Sequence, residues 1–303
     1  MFRMLDIGAE GTRLSLGNGC LQWQRRDDED AGRISLEELD AVILATPASS
    51  LTGWVLMELA SRGIPLVCCN ASYQPQGCLE PFQNAGTGHL ELQRRQFALP
   101  EPLRKRLWQR LIREKIRSQA SVLRAFRQSA VLDALPATVR SGDAGHAESR
   151  AAALYWRTLD LFPCRDAGAK DANVVFNYAY TVLYGITARH LAAAGFHLRQ
   201  GLCHRNKYNP FCLASDVMEP YRGWVDAVVL RLLEALPEAD RLTSPVRRRL
   251  LEGILALKVP MPQGERVLTE ALRLTVASLR NAMLQGDSKL LELPKEEKFA
   301  LCG

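Results

Sequence analysis

Four residues of this chain stand out as candidate ligands for a divalent metal ion: Glu148, His204, Asp216 and Glu219. Glu148 lies on the apolar stripe of a predicted helix, where a carboxylate is costly unless it meets a cation, a hydrogen-bond donor or a metal ion. Asp216 and Glu219 lie three residues apart, on one side of a second predicted helix. Carboxylates and an imidazole together form a hard O/N/O ligand set that suits Mg²⁺ or Mn²⁺.

Each of these residues also has a structural interpretation, and the residues alone leave both open. Glu148 could be a first-turn carboxylate that is favoured by the helix dipole. Asp216 and Glu219 have the spacing of a capping box, in which Asp216 would cap the helix. A lone histidine such as His204 is more often structural than a ligand, but here it has polar, cationic neighbours that suit contact with phosphate.

Two other kinds of site have weaker support in the sequence. Cys203, His204 and Cys212 could form part of a zinc site, but their spacing is irregular and a fourth ligand is not evident. Asp6 begins an Asp-Ile-Gly stretch similar to the strand-borne aspartate of RNase H-like and sugar-kinase folds, but no second acidic strand follows. The sequence contains neither GxxxxGKS nor GxGxxG, so a nucleotide cofactor is not expected.

The elements that must position these residues change in type near residue 90. Before it, a Gly-Asn-Gly turn at residues 17–19 predicts a hairpin, DAVILATP and GIPLVCCN predict buried strands, and residues 50–62 have helical spacing. After it, apolar spacing and Pro or Gly punctuation predict helices over 101–128, 147–160, 172–195, 216–235, 245–257 and 264–285. We therefore predict an α+β protein with a small β-rich N-terminal domain, residues 1–88, and a larger all-α domain, residues 89–303, joined by the linker EPFQNAGTG.

The predicted helix over residues 101–128 is amphipathic. Its apolar residues recur at near-helical spacing, and seven basic residues lie between them, which predicts a strongly basic outer face. The seven basic residues are Arg104, Lys105, Arg106, Arg110, Arg113, Lys115 and Arg117.

Composition is that of a soluble globular protein. Of the 303 residues, 47% are hydrophobic, and no stretch offers the roughly 18 uncharged apolar residues of a membrane helix. The N-terminus shows no secretory signal, so the eight cysteines, which form no CxxC pair, are expected to be reduced thiols in the cytoplasm.

Charge is divided unevenly along the chain. Residues 1–93 carry 6 Arg, no Lys and 12 Asp or Glu, whereas residues 94–303 carry 33 Lys or Arg against 21 Asp or Glu. A basic C-terminal unit indicates a polyanionic partner, most commonly nucleic acid, and a solvated basic face is the alternative.

Motifs dispersed over the chain resemble those of the CRISPR-associated protein one family, the integrase that acquires new spacers. The family pattern is a Glu followed by small residues and an aromatic pair, an Asn-Tyr helix, Gly-x-x-His, and Leu-x-x-Asp-x-Met-Glu-Pro-x-Arg. The matching residues here are Glu148, Tyr155-Trp156, Asn177-Tyr178, Gly201, His204, Leu213, Asp216, Met218, Glu219, Pro220 and Arg222. The asparagine-rich run after His204 is similar to the type II subgroup, which often has another histidine at the position of Cys203. Ser149 and Gly223 depart from the family pattern, in which glycine and proline are common at these positions.

The resemblance implies a metal-dependent DNA integrase and endonuclease of the prokaryotic cytoplasm. Its reaction is a transesterification in which a 3′-hydroxyl of a short foreign DNA fragment attacks a phosphodiester at a CRISPR repeat. The implied metal ligands for Mg²⁺ or Mn²⁺ are Glu148, His204 and Glu219, with Asp216 as a further catalytic residue. Lys207, Arg222, Arg205 and Tyr155 are the residues expected to contact DNA.

The same resemblance implies partners. They are double-stranded DNA, a second copy of the chain that pairs through the β-rich domain, and CRISPR-associated protein two, which bridges two such dimers into a heterohexamer. Two rival functions remain open from the residues: a structure-specific DNA nuclease of repair that uses water as the nucleophile, and a non-catalytic DNA-binding scaffold whose carboxylates only cap helices.

Overall fold

Strands occupy the N-terminal part of the chain and helices most of the rest, as the α+β prediction requires. The structure, a computed structural model, describes residues 4–25, 31–70, 75–79, 89–161, 172–209, 211–236 and 242–295. The predicted linker over residues 80–88 therefore lies outside the described residues. No helix in these ranges is both long and apolar enough to cross a membrane.

Ten strands are described: β1 (Met4–Ile7), β2 (Arg13–Gly17), β3 (Cys20–Gln24), β4 (Ala31–Ser35), β5 (Ala41–Leu44), β6 (Ser50–Leu51), β7 (Leu66–Cys69), β8 (Pro75–Leu79), β9 (Lys258–Met261) and β10 (Gly264–Val267). The α-helices are α1 (Gly53–Ser61), α2 (His89–Phe97), α3 (Glu101–Arg127), α4 (Leu135–Thr138), α5 (Ala147–Leu159), α6 (Ala172–Ala193), α7 (Cys212–Val217), α8 (Arg222–Ala235), α9 (Ser244–Ala256) and α10 (Leu268–Gln285). The hairpin predicted at residues 17–19 is confirmed, with Asn18 and Gly19 at φ of 52° and 71° between the paired strands β2 and β3.

The N-terminal strands form two four-stranded sheets, in the orders β1-β5-β7-β8 and β4-β3-β2-β6. All four residues of β5 are buried because both faces of the first sheet are covered. Val42 and Leu44 pack with the second sheet and α1, whereas Ala41 and Ile43 belong to the core that includes α3 and α6. The β-rich part thus shares a continuous apolar core with the helical part.

Asp6 joins the same two parts of the molecule. Its carboxylate lies 3.5 Å from Arg247 on α9, and the Arg247 guanidinium also donates to the Gly8 carbonyl at 3.0 Å. A hydrogen bond links Asp6 to Tyr178 of α6, and burial is the main cause that raises the Asp6 pKa. Asp6 is therefore a buried structural carboxylate, which accounts for the Asp-Ile-Gly stretch without a catalytic role.

Helix α3 is the central helix of the C-terminal part, and only part of its predicted basic outer face is open to solvent. It packs against α4, α5 and α8 along its 27 residues. Arg104, Arg110 and Arg113 donate to the carbonyls of Leu202, Leu291 and Val139. Arg106 is exposed, and Lys105 and Arg117 keep 45% and 40% of their side chains exposed while they pair with glutamates of the same helix. Lys115, in contrast, is buried.

Two helix predictions needed correction, whereas those for α3, α5, α6 and α9 are confirmed to within about two residues. The predicted helix 216–235 is broken into α7, a 3₁₀ turn at Glu219–Tyr221 and α8, since Pro220 lacks the N–H that an α-helix needs there. The predicted helix 264–285 begins instead with β10, which pairs with β9, and Gly264 takes a φ of 103° at that turn. Among its described residues, the regular structure of the C-terminal part is therefore helical apart from one hairpin.

The close approach of α8 to α3 yields a stability prediction. A Cβ on Gly223 would lie 2.7 Å from the Ser118 backbone carbon, so Gly223→Ala should lower the free energy of unfolding by about 1–3 kcal/mol through overpacking. Gly53, at the start of α1, has open space around its Cβ direction, so Gly53→Ala should change stability by less than about 0.5 kcal/mol. Urea unfolding of both variants measures this, and equal effects would contradict the packing argument.

Candidate metal and nucleic-acid site

The first turn of α5 presents Glu148 toward α3. Buried Asp143, four residues before the helix, accepts the backbone N–H groups of Ala147 at 2.9 Å and Glu148 at 3.1 Å. These bonds satisfy two of the donors that a helix start leaves unpaired. Glu148 is thus a first-turn carboxylate, as the structural interpretation expected, and its side chain also reaches a specific cation.

That cation is Lys115 of α3, which lies between two carboxylates. Its Nζ is 2.6 Å from Glu148 Oε1 and 2.6 Å from Glu219 Oε2. Side-chain exposure is 7% for Lys115 and 4% for Glu219, against 25% for Glu148, so the group opens to solvent on the Glu148 side. Glu148 and Glu219, which are 71 residues apart in sequence, therefore converge on one cation position.

Glu219 has a second cationic partner in Arg222. The Arg222 guanidinium lies 2.9 Å from Glu219 Oε1 and 4.2 Å from the centroid of the Tyr180 ring. Burial opposes ionisation of Glu219, but Arg222 and Lys115 outweigh it and lower the pKa of this carboxyl from 4.5 to about 2. Glu219 is consequently an ionised, buried carboxylate at neutral pH.

His204 is held by Asp216, which is fully buried. The His204 ring Nδ1 lies 2.6 Å from Asp216 Oδ1, and the Asp216 carboxylate also accepts the backbone N–H groups of Leu202, Cys203 and His204. Since a carboxylate only accepts, Nδ1 carries the proton and Nε2 is left as the ring atom for a ligand. The hydrogen bond to Asp216 raises the pKa of His204 above its ordinary 6.5.

The loop that carries His204 is fixed from several sides. Trp108 of α3 makes an edge-on contact with the His204 ring at 5.7 Å between centroids, and Arg104 donates to the Leu202 carbonyl at 2.6 Å. A Cβ on Gly201 would lie 2.6 Å from the His204 carbonyl oxygen and 2.7 Å from Asp216 Oδ2. Gly201 is therefore required for the tight return of the loop over Asp216.

These contacts exclude the capping-box alternative for Asp216 and Glu219. Asp216 lies inside α7 and receives N–H groups from the 202–204 loop, while Glu219 lies in the following 3₁₀ turn and pairs with Lys115 and Arg222.

A zinc site built on the two cysteines has no support either. The Cys212 thiol donates to the carbonyls of Asn206 and Asn209, and Cys203 is exposed. Burial raises the pKa of both thiols, to about 11 for Cys203, which disfavours the thiolate that zinc binds.

Tyr155 was expected to contact DNA, and the structure shows that it does not reach the surface. Its side chain is fully buried, and its hydroxyl donates to Asp226 of α8 at 2.8 Å. Tyr180 of α6 donates to the other oxygen of Asp226 at 2.5 Å. Tyr155 therefore belongs to an internal network that holds α5, α6 and α8 around the site, because an apolar ring with a polar tip buries well when the hydroxyl finds a partner.

The exposed surface beside His204 is cationic and carries an aromatic ring. Arg205 and Lys207 are exposed, the ring of Tyr208 is 80% exposed, and the Lys207 ammonium lies 4.8 Å from the centroid of that ring. Asn209 anchors the loop through bonds to Tyr184, Ser215 and the Phe211 N–H. Arg222, in contrast, keeps only 29% of its side chain exposed and faces Glu219, so its contact with DNA stays a prediction.

The donor set has the chemistry that Mg²⁺ or Mn²⁺ requires. Glu148 and Glu219 each place an oxygen 2.6 Å from the Lys115 ammonium, which shows that both can address one cation. His204 adds a nitrogen donor that is electrostatically coupled to both carboxylates. Within the described ranges no three His, Cys, Asp or Glu side chains form a ready-made metal cage. Lys115 lies between the two glutamates.

Three residues of this site escaped the sequence prediction: Lys115 as an inward-facing cation, Asp143 as the cap of α5, and Asp226 as the acceptor for two tyrosines. An aspartate shortly before a helix is a recognised capping signal, so Asp143 could have been found. Lys115 and Asp226 could not, since their roles depend on which helices surround them.

The sequence of this chain matches a known family and curated relatives. The family model described as CRISPR associated protein Cas1 matches residues 5–237. A CRISPR-associated endonuclease Cas1 of Neisseria meningitidis serogroup C (strain 8013) is 32% identical over 294 residues, covering 94% of this chain and 93% of the relative, and the type II resemblance is consistent with it.

Solved structures share the fold. A chain of a Cas6-RT-Cas1–Cas2 complex superposes with a TM-score of 0.81 at 23% identity, covering 98% of this chain, which spans 36% of that longer chain. A casposase bound to integration product superposes with a TM-score of 0.79 at 17% identity, covering 94% of this chain and 92% of that chain. The match of the family model to most of the sequence, together with the relative at 32% identity, shows that this chain belongs to the CRISPR-associated Cas1 family.

Proposed function

We propose that this protein is a divalent-metal-dependent DNA integrase and endonuclease that inserts short foreign DNA fragments into a CRISPR array. A 3′-hydroxyl of the fragment would attack the phosphodiester at a repeat boundary, so that one phosphodiester bond forms as another breaks and no nucleotide cofactor is needed. The similarity to a casposase solved with its integration product supports this reaction class.

One observation carries the proposal: Glu148 and Glu219 from distant parts of the chain converge on a single cation position, and His204 is oriented next to them by Asp216. A scaffold whose carboxylates only cap helices would not need this arrangement, since Asp216 and Glu219 cap no helix start.

The charge at the site matches a divalent ion and a phosphodiester. The site contains the three carboxylates Glu148, Asp216 and Glu219 and the two cations Lys115 and Arg222, which leaves one net negative charge with His204 neutral. A divalent ion held by Glu148, His204 and Glu219 would supply charge stabilisation for the attacking and leaving oxygens. Its addition would make the site net positive by one charge, which balances one phosphodiester.

In this proposal the other residues of the site position the metal ligands or the DNA. Asp216 fixes the tautomer and the orientation of His204. Arg222 contacts Oε1 of Glu219, whereas Lys115 contacts Oε2. Arg205 and Lys207 are exposed and would contact backbone phosphates. Phosphates carry no sequence information, so one surface could accept many different fragments.

The partners proposed for this reaction are double-stranded DNA, a second copy of this chain and a Cas2 protein. A Cas1–Cas2 complex is named among the structures that share this fold, which supports the Cas2 partner. A homodimer bridged by Cas2 into a heterohexamer, use of Mg²⁺ or Mn²⁺, and a place in the prokaryotic cytoplasm are parts of the same proposal.

A structure-specific nuclease would use the same residues with water as the nucleophile. Joining of a labelled 3′-hydroxyl end to a repeat target separates the two functions, because a nuclease cleaves without joining.

The first prediction concerns Glu148. Glu148→Gln should abolish metal-dependent strand transfer of a labelled duplex into a plasmid that bears a leader and a repeat, since the amide is a poorer ligand for a hard cation. DNA binding should persist, because the substitution removes a negative charge and therefore no attraction for the DNA phosphates. Glu91→Gln is the matched control, as Glu91 is an exposed glutamate in the first turn of α2. Loss of DNA binding in Glu148→Gln to the same degree as strand transfer would mean that Glu148 is structural.

A second prediction concerns pH. Because the hydrogen bond to Asp216 raises the pKa of His204 above 6.5, protons compete with metal at Nε2, and Mn²⁺ affinity should increase as pH rises through that pKa. In Asp216→Asn this hydrogen bond weakens, so the pKa of His204 should fall. The midpoint of the curve of Mn²⁺ affinity against pH should then move to lower pH. Calorimetric titration with Mn²⁺ across pH measures the midpoint, with circular dichroism to show that the variant is folded. An unchanged midpoint would contradict the orienting role of Asp216.

A third prediction separates surface from core residues. Lys207→Ala should weaken DNA binding and reduce the slope of log affinity against log salt by about 1, because one phosphate contact is lost. Lys258→Ala, on β9, removes an exposed cation from another element and serves as the charge control. Tyr155→Phe should leave DNA affinity unchanged and lower stability, since it breaks only the bond to Asp226. Fluorescence anisotropy at several salt concentrations measures the DNA affinity of all three variants, and thermal unfolding measures the stability of Tyr155→Phe. Weaker DNA binding by Tyr155→Phe would show that Tyr155 contacts DNA.

A further inference from the structure

Lys115 is the buried cation of the site, and nothing in the family pattern described above assigns it a role. Its ammonium lies 2.6 Å from one oxygen of Glu148 and 2.6 Å from one oxygen of Glu219, and only 7% of its side chain is exposed. It stands on α3, which also supplies Trp108 to the His204 ring, so its backbone is fixed relative to both carboxylates.

Lysine and a divalent ion would need the same oxygens. Mg²⁺ binds carboxylate oxygens at about 2.0–2.1 Å, so an ion between Glu148 and Glu219 would fall where the ammonium lies. Two cations that close repel strongly in a largely buried site. Lys115 has a flexible four-carbon stem and can move, whereas Glu219 would keep Arg222 as its remaining partner.

We propose that Lys115 is an internal competitor for the metal ion: it shares Glu148 and Glu219 with that ion, lowers its affinity, and turns toward a DNA phosphate oxygen when the ion binds. This inference rests on the proposed function, in which both glutamates are metal ligands. A phosphate that receives the displaced ammonium stabilises the metal-bound arrangement, so DNA and metal each raise the affinity for the other. The lysine thereby favours metal loading of the DNA-bound protein over that of the free protein.

The test is calorimetric titration of Mn²⁺ into the full-length protein, with and without a duplex whose 3′ ends are dideoxy so that no reaction follows. Lys115→Met should bind Mn²⁺ at least about tenfold more tightly than wild type without DNA, because a repelling charge is gone. DNA should tighten Mn²⁺ binding in wild type and much less in Lys115→Met. Lys105→Met, on the same helix and paired with exposed Glu101, should match wild type without DNA.

Removal of Lys115 leaves two carboxylates facing each other, so Lys115→Met will melt at a lower temperature in EDTA. Mn²⁺ should raise its melting temperature by more than it raises that of wild type. The double variant Lys115→Met with Glu148→Gln removes one of the two charges and should regain stability in EDTA.

The outcomes separate this inference from the function on which it rests. If wild type binds no Mn²⁺ with or without DNA, the proposed metal function fails and the inference fails with it. If wild type binds Mn²⁺ and Lys115→Met binds it equally or more weakly, the metal function stands and the competition is refuted. A Lys115→Met protein that stays unfolded even with Mn²⁺, while the double variant folds, would show that Lys115 is a structural counter-ion only.

Discussion

The site depends on one buried ion-pair group, in which Lys115 bridges Glu148 and Glu219. Removing one partner from such a group costs about 3–5 kcal/mol, since the remaining charge stays buried without compensation. The group also fixes geometry, because it ties α3, α5 and the turn before α8 to one point. Two glutamates distant in sequence can serve one cation only as long as these three elements keep their relative positions.

One face of α3 carries most of this organisation. Arg104, Trp108 and Lys115 lie at helical spacing along it and contact the His204 loop, the His204 ring and the two glutamates in turn. Further along the same helix, Ser118 meets Gly223 so closely that only a glycine fits there. The helix therefore aligns the segments that carry Glu148, His204 and Glu219.

Three buried aspartates complete the support, and each holds one part of the site. Asp143 fixes the first turn of α5 below Glu148, Asp216 fixes the loop and ring of His204, and Asp226 holds Tyr155 and Tyr180, whose ring lies under the Arg222 guanidinium. Each carboxylate receives two or more donors, as buried charges must. The side chains that remain partly open, Glu148 and His204, are those a metal ion and DNA would have to reach.

The sequence by itself determined the fold class, most helix bounds and the residues at the candidate site, because apolar periodicity and dispersed motifs are local properties of the chain. It did not determine which side chains point into the protein and which point to solvent. By periodicity Lys115 was one of seven equivalent basic residues, yet α3 is enclosed on several sides, and neighbouring helices decide which of its cations turn inward. Tyr155 belongs to the family motif, but the tertiary structure buries it and pairs its hydroxyl with Asp226 of α8. Only the tertiary structure could place these groups, since the energy of a charge or a hydroxyl depends on partners that the chain brings from far away in sequence.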